Sequence, residues 1–378
     1  MTGPCGVVDY TEQLADGLCR LGLRVAIVGV RGPLNPGAQR WSDEAFPSGK
    51  DLVRWELGTT DVSEGFNRLG LLLNRVQPAL VSLQFFPYGF STKGLFIRNL
   101  GPLRRALRGH RVHLMFHEIW TDTSFRTDLR TRAIEGVRCL EIALLGRLFR
   151  NRSAHTTCEQ YQASLARVGI GASLLPVCSN IRFHRPPPAL ALESFMPGEG
   201  WPEDLRIKDH FFVAALFGRI YPTWGFEPLL LKLRQASEAE SRRLCVVSIG
   251  AAGFGNDGWK RVVEFCSAHR IETLQLGVLP EKTISHVLQC VDFGLSPTPY
   301  ALRTKSGTNA AMGLHGLRIF FSEKMPATAR PALNCFFLDQ AWPRLHAMRL
   351  AGRCVASGAD LAETLVHDIG LFGNAAAV

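Results

Sequence analysis

Residues 296–321, SPTPYALRTKSGTNAAMGLHGLRIFF, form the segment from which the fold of this chain can be deduced. The apolar run at residues 291–295 leads into this segment and predicts a strand, and residues 318–321 predict a second strand. Between them lie a loop that contains prolines and a short helix of small residues. A strand, a helix and a strand in this order are typical of a parallel sheet with helices on its faces.

The start of the helix, Lys305-Ser306-Gly307-Thr308, has the composition of an anion-binding site. A serine or threonine caps a helix, and the exposed N–H groups and the helix dipole then attract negative charge. Gly307 lets a ligand approach the backbone, and Lys305 adds a full positive charge. The segment therefore predicts a phosphate site, although the Gly-Lys-Ser/Thr order of a Walker motif is absent. The alternative is an ordinary capped junction between a strand and a helix.

The composition indicates a globular protein of two domains. The chain has 378 residues, of which 46% are hydrophobic, and this is enough for two large cores. No apolar run reaches the roughly 18 residues of a membrane span, and the first residues do not resemble a signal peptide. Ten cysteines include no Cys-x-x-Cys pair, so neither a zinc site nor a disulfide framework is indicated. We therefore expect a cytoplasmic protein with reduced thiols.

Strands and helices alternate along both halves of the chain. Apolar runs predict strands at residues 25–30, 79–85, 111–116, 154–157, 173–177, 211–217, 244–249, 271–276 and 335–338. Residues 31–63 read as irregular loop. No strand precedes the first helix, so the first domain lacks its first strand or the true start lies upstream. Residues 1–183 and 210–378 are the predicted domains, and the proline-rich residues 184–209 are the predicted linker. The pattern predicts an α/β protein of two doubly wound, Rossmann-like domains that face each other across a cleft.

One part of the first domain is strongly basic. No acidic residue occurs between Gly65 and His117, and the same window holds Arg68, Arg75, Lys93, Arg98, Arg104, Arg105, Arg108 and Arg111. Large apolar residues are interleaved with these charges: Phe85, Phe86, Phe90, Leu95, Phe96 and Ile97. This mixture favours peripheral contact with the anionic inner face of a membrane. The alternative is a solvated basic face without a partner. Nucleic acid is suggested only by the net charge of +10, and no recognition motif supports it.

Several motifs resemble those of GT-B glycosyltransferases, most closely the glycosyltransferase family 4 group. They are Phe217-Gly218-Arg219-Ile220, Leu276-Gly277-Val278-Leu279, residues 292–316, and Gly6-Val7-Val8-Asp9-Tyr10-Thr11, which resembles the glycine loop that the family places beside the donor. The resemblance implies a nucleotide-diphosphate sugar as donor, with Arg219 on the diphosphate and Gly6 beside the donor. It places His117, at the end of a strand, next to the reacting sugar, where a histidine can donate to a hydroxyl or stabilise charge. The alternative for His117 is a purely structural role.

The chain also departs from the family pattern. Trp224 stands where the family usually has a lysine, and Lys305 is our candidate to replace that charge. Arg303 and Ala311 stand where the family has two glutamates that contact the donor sugar and the ribose. These departures bear on the donor, on the retaining stereochemistry and on activity itself.

The resulting expectation is transfer of a hexose from a nucleotide-diphosphate sugar to a glycan, lipid-linked or small-molecule acceptor in polysaccharide or glycoconjugate biosynthesis. The candidate catalytic residues are His117, Arg219 and Lys305, and the candidate donor-binding residues are Gly6, Arg219, Lys305, Ser306, Gly307 and Thr308. The resemblance implies retention of configuration and no cofactor. No pair of the other histidines has metal-ligand spacing, so no catalytic metal is expected. The alternative is an inactive GT-B protein that binds nucleotide or a partner as a subunit. A dinucleotide-dependent oxidoreductase is excluded, because no strand–Gly-x-Gly-x-x-Gly–helix unit is present.

Overall fold

The chain divides into two compact units, each with its own parallel sheets. The computed structural model describes residues 6–30, 39–41, 47, 49–59, 61–91, 93–120, 129–149, 153–187, 191–195, 207–221, 223–250, 257–324, 335–339, 342, 344–347 and 358–371. The first unit comprises Met1–Val177 together with Gly358–Val378, and the second comprises Cys178–Ser357.

The described strands of the first unit form two parallel sheets. One sheet has the order β1-β3-β2, with β1 at Val25–Gly29, β2 at Gln39–Arg40 and β3 at Leu52–Glu56. The other has the order β4-β5-β6-β7, with β4 at Val81–Phe85, β5 at Val112–Phe116, β6 at Ser153–Thr156 and β7 at Ser173–Leu174. The helices are α1 (Gly6–Arg20), α2 (Val62–Val76), α3 (Ile97–Ala106), α4 (Leu129–Leu148) and α5 (Glu159–Arg167).

The second unit contains one six-stranded parallel sheet. Its strands are β8 (Phe211–Phe217), β9 (Arg243–Ile249), β10 (Glu272–Gly277), β11 (Phe293–Ser296), β12 (Arg318–Phe321) and β13 (Cys335–Phe337), in the order β10-β9-β8-β11-β12-β13. The helices are α6 (Ile207–His210), α7 (Glu227–Glu238), α8 (Asp257–Ala268), α9 (Glu281–Cys290) and α10 (Gly307–Leu314). The last described helix, α11 (Gly358–Ile369), belongs to the first unit.

The second unit is doubly wound. All seven residues of β8 are buried, as expected for a central strand with helices on both faces. Leu229 of α7 and Val262 of α8 contribute to the core on one face, and Val287 of α9 and Met312 of α10 contribute to the core on the other. The chain adds β9 and β10 on one side of β8 and then returns to the opposite side with β11. The strand order therefore reverses between β8 and β11, which is where ligands bind in sheets of this kind.

Three parts of the chain differ from the sequence-based expectation. Residues 31–63 were expected to be loop, but they contain β3, whose Trp55 is 4% exposed and lies in the core of the first unit. The predicted linker does not stand apart from the second unit, because Leu192 and Ile207 are each 1% exposed in the core of that unit. Finally, α11 packs against α1 of the first unit, although its position in the sequence suggested the second.

Among the described residues, no strand precedes α1, and β1 and β4 belong to separate sheets.

Candidate functional site

The turn after β8 contains the first of the predicted donor-binding residues. The backbone N–H of Gly218 donates to the carbonyl of Ile249, the last residue of β9, at 3.0 Å. Gly218 has a φ of +89°, which a residue with a side chain adopts only with strain. Arg219 follows directly and is exposed, so its guanidinium is available to an anion at the end of β8.

The start of α10 contains the second group of predicted residues. Ser306 has extended backbone angles and caps the helix, since its side chain accepts from the N–H of Asn309 at 3.3 Å. The Ser306 hydroxyl also lies 3.0 Å from the hydroxyl of Thr308. The first N–H groups of a helix have no partner within the helix, and here they are those of Gly307 and Thr308. This cap confirms the predicted helix start, and it gives α10 the geometry of an anion site.

The two groups are in direct contact. A Cβ atom on Gly218 would lie 2.7 Å from Cγ2 of Thr308, which is too close for any residue other than glycine. The turn that presents Arg219 therefore packs against the first turn of α10, which follows Lys305 and Ser306. These segments follow β8 and β11, the two strands between which the order of the sheet reverses. The structure thus brings Arg219, Lys305, Ser306, Gly307 and Thr308 to one end of one sheet.

Asn309 is a further candidate that the sequence analysis missed. It is 5% exposed in the first turn of α10, and neither atom of its side-chain amide has a hydrogen-bond partner among the described residues. A buried amide without partners is unfavourable, and such a group in a native structure calls for a ligand or water. A polar residue inside the otherwise small and apolar helix sequence GTNAAMGL was the available signal.

The structure explains the departures from the family pattern. Ala311 is fully buried in the core of the second unit, so its position offers no polar group to a ligand. The guanidinium of Arg303 lies over the ring of Tyr300, 4.2 Å from its centroid. Trp224 is 6% exposed and packs against Phe226, which makes it a core residue and not a replacement for a cation. Family 4 has glutamates at the positions of Arg303 and Ala311 and a lysine at the position of Trp224, so all three of these charged groups are replaced in this chain.

The remaining predicted residues, His117 and Gly6, lie in the first unit. His117 follows β5 and is 4% exposed, with Nε2 2.8 Å from Oε1 of Gln84 and its ring 4.7 Å from that of Tyr10. The expectation that Gly6 lies in a glycine loop is wrong, because Gly6 is the first residue of α1. Apart from its chain neighbours and the backbone of α1, no described atom lies within 4 Å of the position that a Cβ on Gly6 would occupy. Its role beside a donor stays a prediction.

His315 has a structural role at the end of α10. Its Nδ1 lies 2.7 Å from the carbonyl oxygen of Ala311, and its Nε2 lies 2.8 Å from the hydroxyl of Ser285. Both ring nitrogens are therefore used within the second unit.

The apolar residues of the basic segment are buried to different extents. Phe85, Phe90 and Phe96 pack against one another in the core of the first unit, and Ile97 is largely exposed, at 48%. Contact of this segment with a membrane stays a prediction. None of the described helices is both long and apolar enough to cross a membrane. In the described part of the chain, no group of three or more His, Cys, Asp or Glu residues is placed to hold a metal ion.

Comparison with known proteins identifies the fold. No protein-family model matches the sequence, and no curated protein matches it. Among solved structures, a glycosyltransferase from Rickettsia africae ESF-5 is 12% identical, with a TM-score of 0.52 over 97% of this chain and 86% of that one. The chain has a GT-B fold. Two more distant similarities are to sucrose-phosphate synthase from Thermosynechococcus elongatus (14% identity, TM-score 0.45, 83% of this chain and 74% of that one) and to UDP-GlcNAc 2-epimerase from Methanocaldococcus jannaschii (9%, 0.44, 95% and 96%). At these identities the similarity extends to the GT-B fold and no further, so function must be argued from the site.

Proposed function

We propose that this protein is a glycosyltransferase that uses a nucleotide-diphosphate sugar and binds its diphosphate at the ends of β8 and β11. The contact between Gly218 and Thr308 carries this proposal. It joins the turn that presents Arg219 to the capped start of α10, at the point where the strand order of a GT-B sheet reverses. A guanidinium, an ammonium and free backbone N–H groups at such a point form a site for a doubly charged phosphate group.

The same groups account for the chemistry of transfer. The bond between the anomeric carbon and the diphosphate oxygen breaks, and the electron pair leaves with the nucleoside diphosphate. Arg219, Lys305 and the N–H groups of Gly307 and Thr308 stabilise the charge that develops on this leaving group. Stabilisation of developing charge by fixed donors is commonly the largest contribution to catalysis. The oxygen of the acceptor hydroxyl forms the new bond to the anomeric carbon, and its proton passes to a phosphate oxygen of the departing nucleoside diphosphate.

The finer features of the proposal rest on the resemblance to family 4. They are a hexose as the transferred sugar, retention of configuration, no requirement for a metal, and a glycan, lipid-linked or small-molecule acceptor held by the first unit. The pathway that we propose is polysaccharide or glycoconjugate biosynthesis. Addition of EDTA would leave turnover unchanged if no metal takes part, and the anomeric configuration of the product is measured by NMR.

Peripheral contact with an anionic membrane is proposed on charge alone. Arg75, Arg98, Arg104, Arg105 and Arg108 are all exposed, so the basic segment of the first unit does present positive charge to solvent. Flotation with liposomes that contain anionic lipid tests this proposal. Equal recovery with neutral and anionic liposomes would contradict it.

The second candidate function is nucleotide binding without catalysis. The burial of Ala311 and the stacking of Arg303 on Tyr300 favour it, because the two positions that carry glutamates in family 4 present no carboxylate here. In this case the same site binds nucleoside diphosphate, and the protein acts as a subunit or a regulator.

A panel of nucleotide-diphosphate sugars, scored for both binding and turnover, separates the two candidates. Arg219→Ala and Lys305→Ala are expected to weaken binding of the nucleoside diphosphate by about 10-fold to 100-fold each, the range for the loss of a hydrogen-bonded charge. The matched control is Lys260→Ala, since the side chain of Lys260 is 77% exposed on α8. Affinity unchanged in both site variants would refute the proposed site. Binding without turnover for every donor would favour the inactive protein.

A further inference from the structure

A series of hydrogen bonds leads away from His117 across one face of the second sheet of the first unit. Nε2 of His117 lies 2.8 Å from Oε1 of Gln84. The amide nitrogen of Gln84 lies 2.7 Å from Oγ of Ser82. The same Oγ lies 2.8 Å from Nδ1 of His113. These three bonds join β4 to β5 and to the residue that follows β5.

The series continues through the buried interior to α11. Nε2 of His113 lies 3.1 Å from Nδ1 of His155, and Nε2 of His155 lies 3.1 Å from Oδ2 of Asp368. His113 and His155 are 0% and 1% exposed. The other carboxylate oxygen of Asp368 lies 3.2 Å from Nδ1 of His367, and Arg111 donates to the carbonyl of Ile369 in the same turn. Five consecutive bonds therefore link His117 to the carboxylate of Asp368, and we call these six residues the polar chain.

The register of the strands explains why these residues meet. Ser82 is paired with His113, Gln84 is paired with Met115, and Met115 is paired with His155. Paired residues in a parallel sheet point to the same face. The opposite face carries Leu83, Phe85 and Leu114, which belong to the apolar core of the first unit. Ser82, Gln84, His113 and His155 of the polar chain therefore lie on one face of β4, β5 and β6, which they share with Met115 and Ser153.

The carboxylate determines the direction of every bond in the polar chain. An ionised carboxylate only accepts, so Nε2 of His155 must carry a proton. A neutral imidazole has a single N–H, so Nδ1 of His155 accepts from Nε2–H of His113, and Nδ1 of His113 accepts from the hydroxyl of Ser82. The oxygen of Ser82 then accepts from the amide of Gln84, whose own oxygen accepts from Nε2–H of His117.

The reverse direction is unfavourable. It requires either a neutral carboxyl at Asp368 or an imidazolium at His155, with His113 protonated on Nδ1. The hydrogen bond from His155 lowers the pKa of the Asp368 carboxyl, and a second bond comes from His367. Burial lowers the pKa of His113 from 6.5 to about 3, so this imidazole stays neutral. The ionised carboxylate of Asp368 and the neutral imidazole of His113 favour the first direction.

We propose that the polar chain fixes the tautomer of His117, with the proton on Nε2 and the lone pair on Nδ1. Gln84, Ser82, His113, His155 and Asp368 act as positioning residues for this histidine. A fixed tautomer matters because it determines whether the outer side of an imidazole donates or accepts. With Nε2–H held by Gln84, Nδ1 of His117 is an acceptor.

The consequence for the reaction rests on the proposed function. A sugar or acceptor hydroxyl at Nδ1 would donate its proton toward His117, so His117 would act as an acceptor from the substrate. Donation from His117 to a sugar hydroxyl, which the resemblance suggested as one role, would require the other tautomer.

The tautomers can be measured without any activity. In the full-length protein labelled with ¹⁵N-histidine, long-range ¹H–¹⁵N spectra distinguish Nε2–H from Nδ1–H, and a His117→Gln variant assigns the signals of His117. At neutral pH we expect His113, His117 and His155 all to carry the proton on Nε2. A proton on Nδ1 of either His113 or His117 in the unsubstituted protein would overturn the proposal.

Substitution of Ser82 tests whether the bonds act as a chain. Ser82 is exposed on β4, so its replacement is compatible with folding. In Ser82→Ala the amide of Gln84 loses its acceptor and can turn, and we expect part of His117 to appear as Nδ1–H. Ser82→Thr keeps the hydroxyl and should preserve the native tautomer. A His117 signal that is the same in Ser82→Ala as in the unsubstituted protein would refute the chain.

Kinetics test the link to the reaction. Ser82→Ala is expected to lower kcat at least ~10-fold and to change KM less than about twofold, with recovery in Ser82→Thr. An unchanged kcat alongside an altered tautomer would overturn the proposed use of His117 as an acceptor. The absence of turnover with every donor would contradict the proposed function, and the NMR measurement would still decide the tautomer.

Discussion

The contact between Gly218 and Thr308 can be tested by adding a single methyl group. In Gly218→Ala the new Cβ would lie 2.7 Å from Cγ2 of Thr308, 0.7 Å short of the 3.4 Å at which ordinary contact begins. The other two nearest atoms, Cβ and Oγ1 of Thr308, lie at 3.7 and 3.9 Å, which is ordinary contact. The clash is therefore with one methyl group of one side chain.

Two separate costs contribute to the effect of Gly218→Ala. A φ of +89° costs an alanine roughly 1–2 kcal/mol relative to glycine. Forcing a methyl group into a packed contact adds about 1–3 kcal/mol. The total loss in the free energy of unfolding is then roughly 2–5 kcal/mol. Gly250→Ala isolates the first cost, because Gly250 has a φ of +95° and its nearest neighbours lie at an ordinary 3.8 Å.

A double-mutant cycle with Thr308→Ser, which removes only Cγ2 of Thr308, separates the cost of the positive φ from the cost of the clash. In that background Gly218→Ala should cost about as much as Gly250→Ala, leaving a coupling energy of ~1–3 kcal/mol. Urea unfolding followed by tryptophan fluorescence reports on both units, since Trp55 lies in the first and Trp224 and Trp259 lie in the second. Because the protein has two units, each transition is fitted separately. A coupling energy near zero would show that the turn after β8 does not pack on α10.

Three other variants test the described contacts. Asn309→Leu replaces the buried amide that has no hydrogen-bond partner among the described residues, so it should stabilise the ligand-free protein by about 1 kcal/mol and weaken the binding of nucleoside diphosphate. Lower stability with unchanged binding would contradict this expectation. Glu141→Ala removes the acceptor of the N–H groups of Phe96 and Ile97 at the start of α3, at 3.1 and 2.7 Å. We expect a loss of roughly 2–4 kcal/mol in urea unfolding, and a smaller loss in Glu141→Gln, which keeps an acceptor; equal losses would count against the cap. His113 has its pKa lowered from 6.5 to about 3, chiefly by burial and then by His155 and His117. The unfolded chain therefore binds a proton that the folded chain does not. His113 thus lowers stability by about 1.4 kcal/mol per pH unit as the pH falls from near 6.5 towards 3. Unfolding curves between pH 7 and 4 should show a shallower dependence in His113→Asn, and an unchanged slope would argue against a neutral buried His113.

The second unit was more predictable from sequence than the first. Its strands are continuous apolar runs, such as all seven residues of β8, and its helices have regular apolar faces, so the predicted elements lie close to the observed ones. The two segments proposed to bind the diphosphate were also recognisable, because a capped helix start and a Gly-Arg turn are local features. The contact between the turn at Gly218 and the start of α10 could not be deduced from the sequence of either segment. It depends on the return of β11 to the far side of β8, and strand order is not a property of any one segment.

The strands of the first unit were harder to predict, because polar residues interrupt their apolar runs. β3 was missed because its short alternating sequence LVRWE lies among residues rich in proline, glycine and tryptophan. The strands β4 to β6 were read as apolar throughout, although Ser82, Gln84, His113 and His155 are polar. His113 and His155 are buried on β5 and β6 and must find partners across the sheet, since a buried polar group without a partner is costly.

The placement of α11 follows from the same requirement. His155 lies on a strand that is buried on the polar face, and its Nε2 needs an acceptor that no neighbouring strand supplies in the described sheet. Asp368 supplies that acceptor from α11, and α1 and α11 pack together in the first unit. Polar residues at alternate positions of neighbouring buried strands therefore predict hydrogen bonds among themselves. They also predict that a charged residue from elsewhere in the chain accepts the last of these bonds, and here that residue is Asp368 of α11, the last described helix.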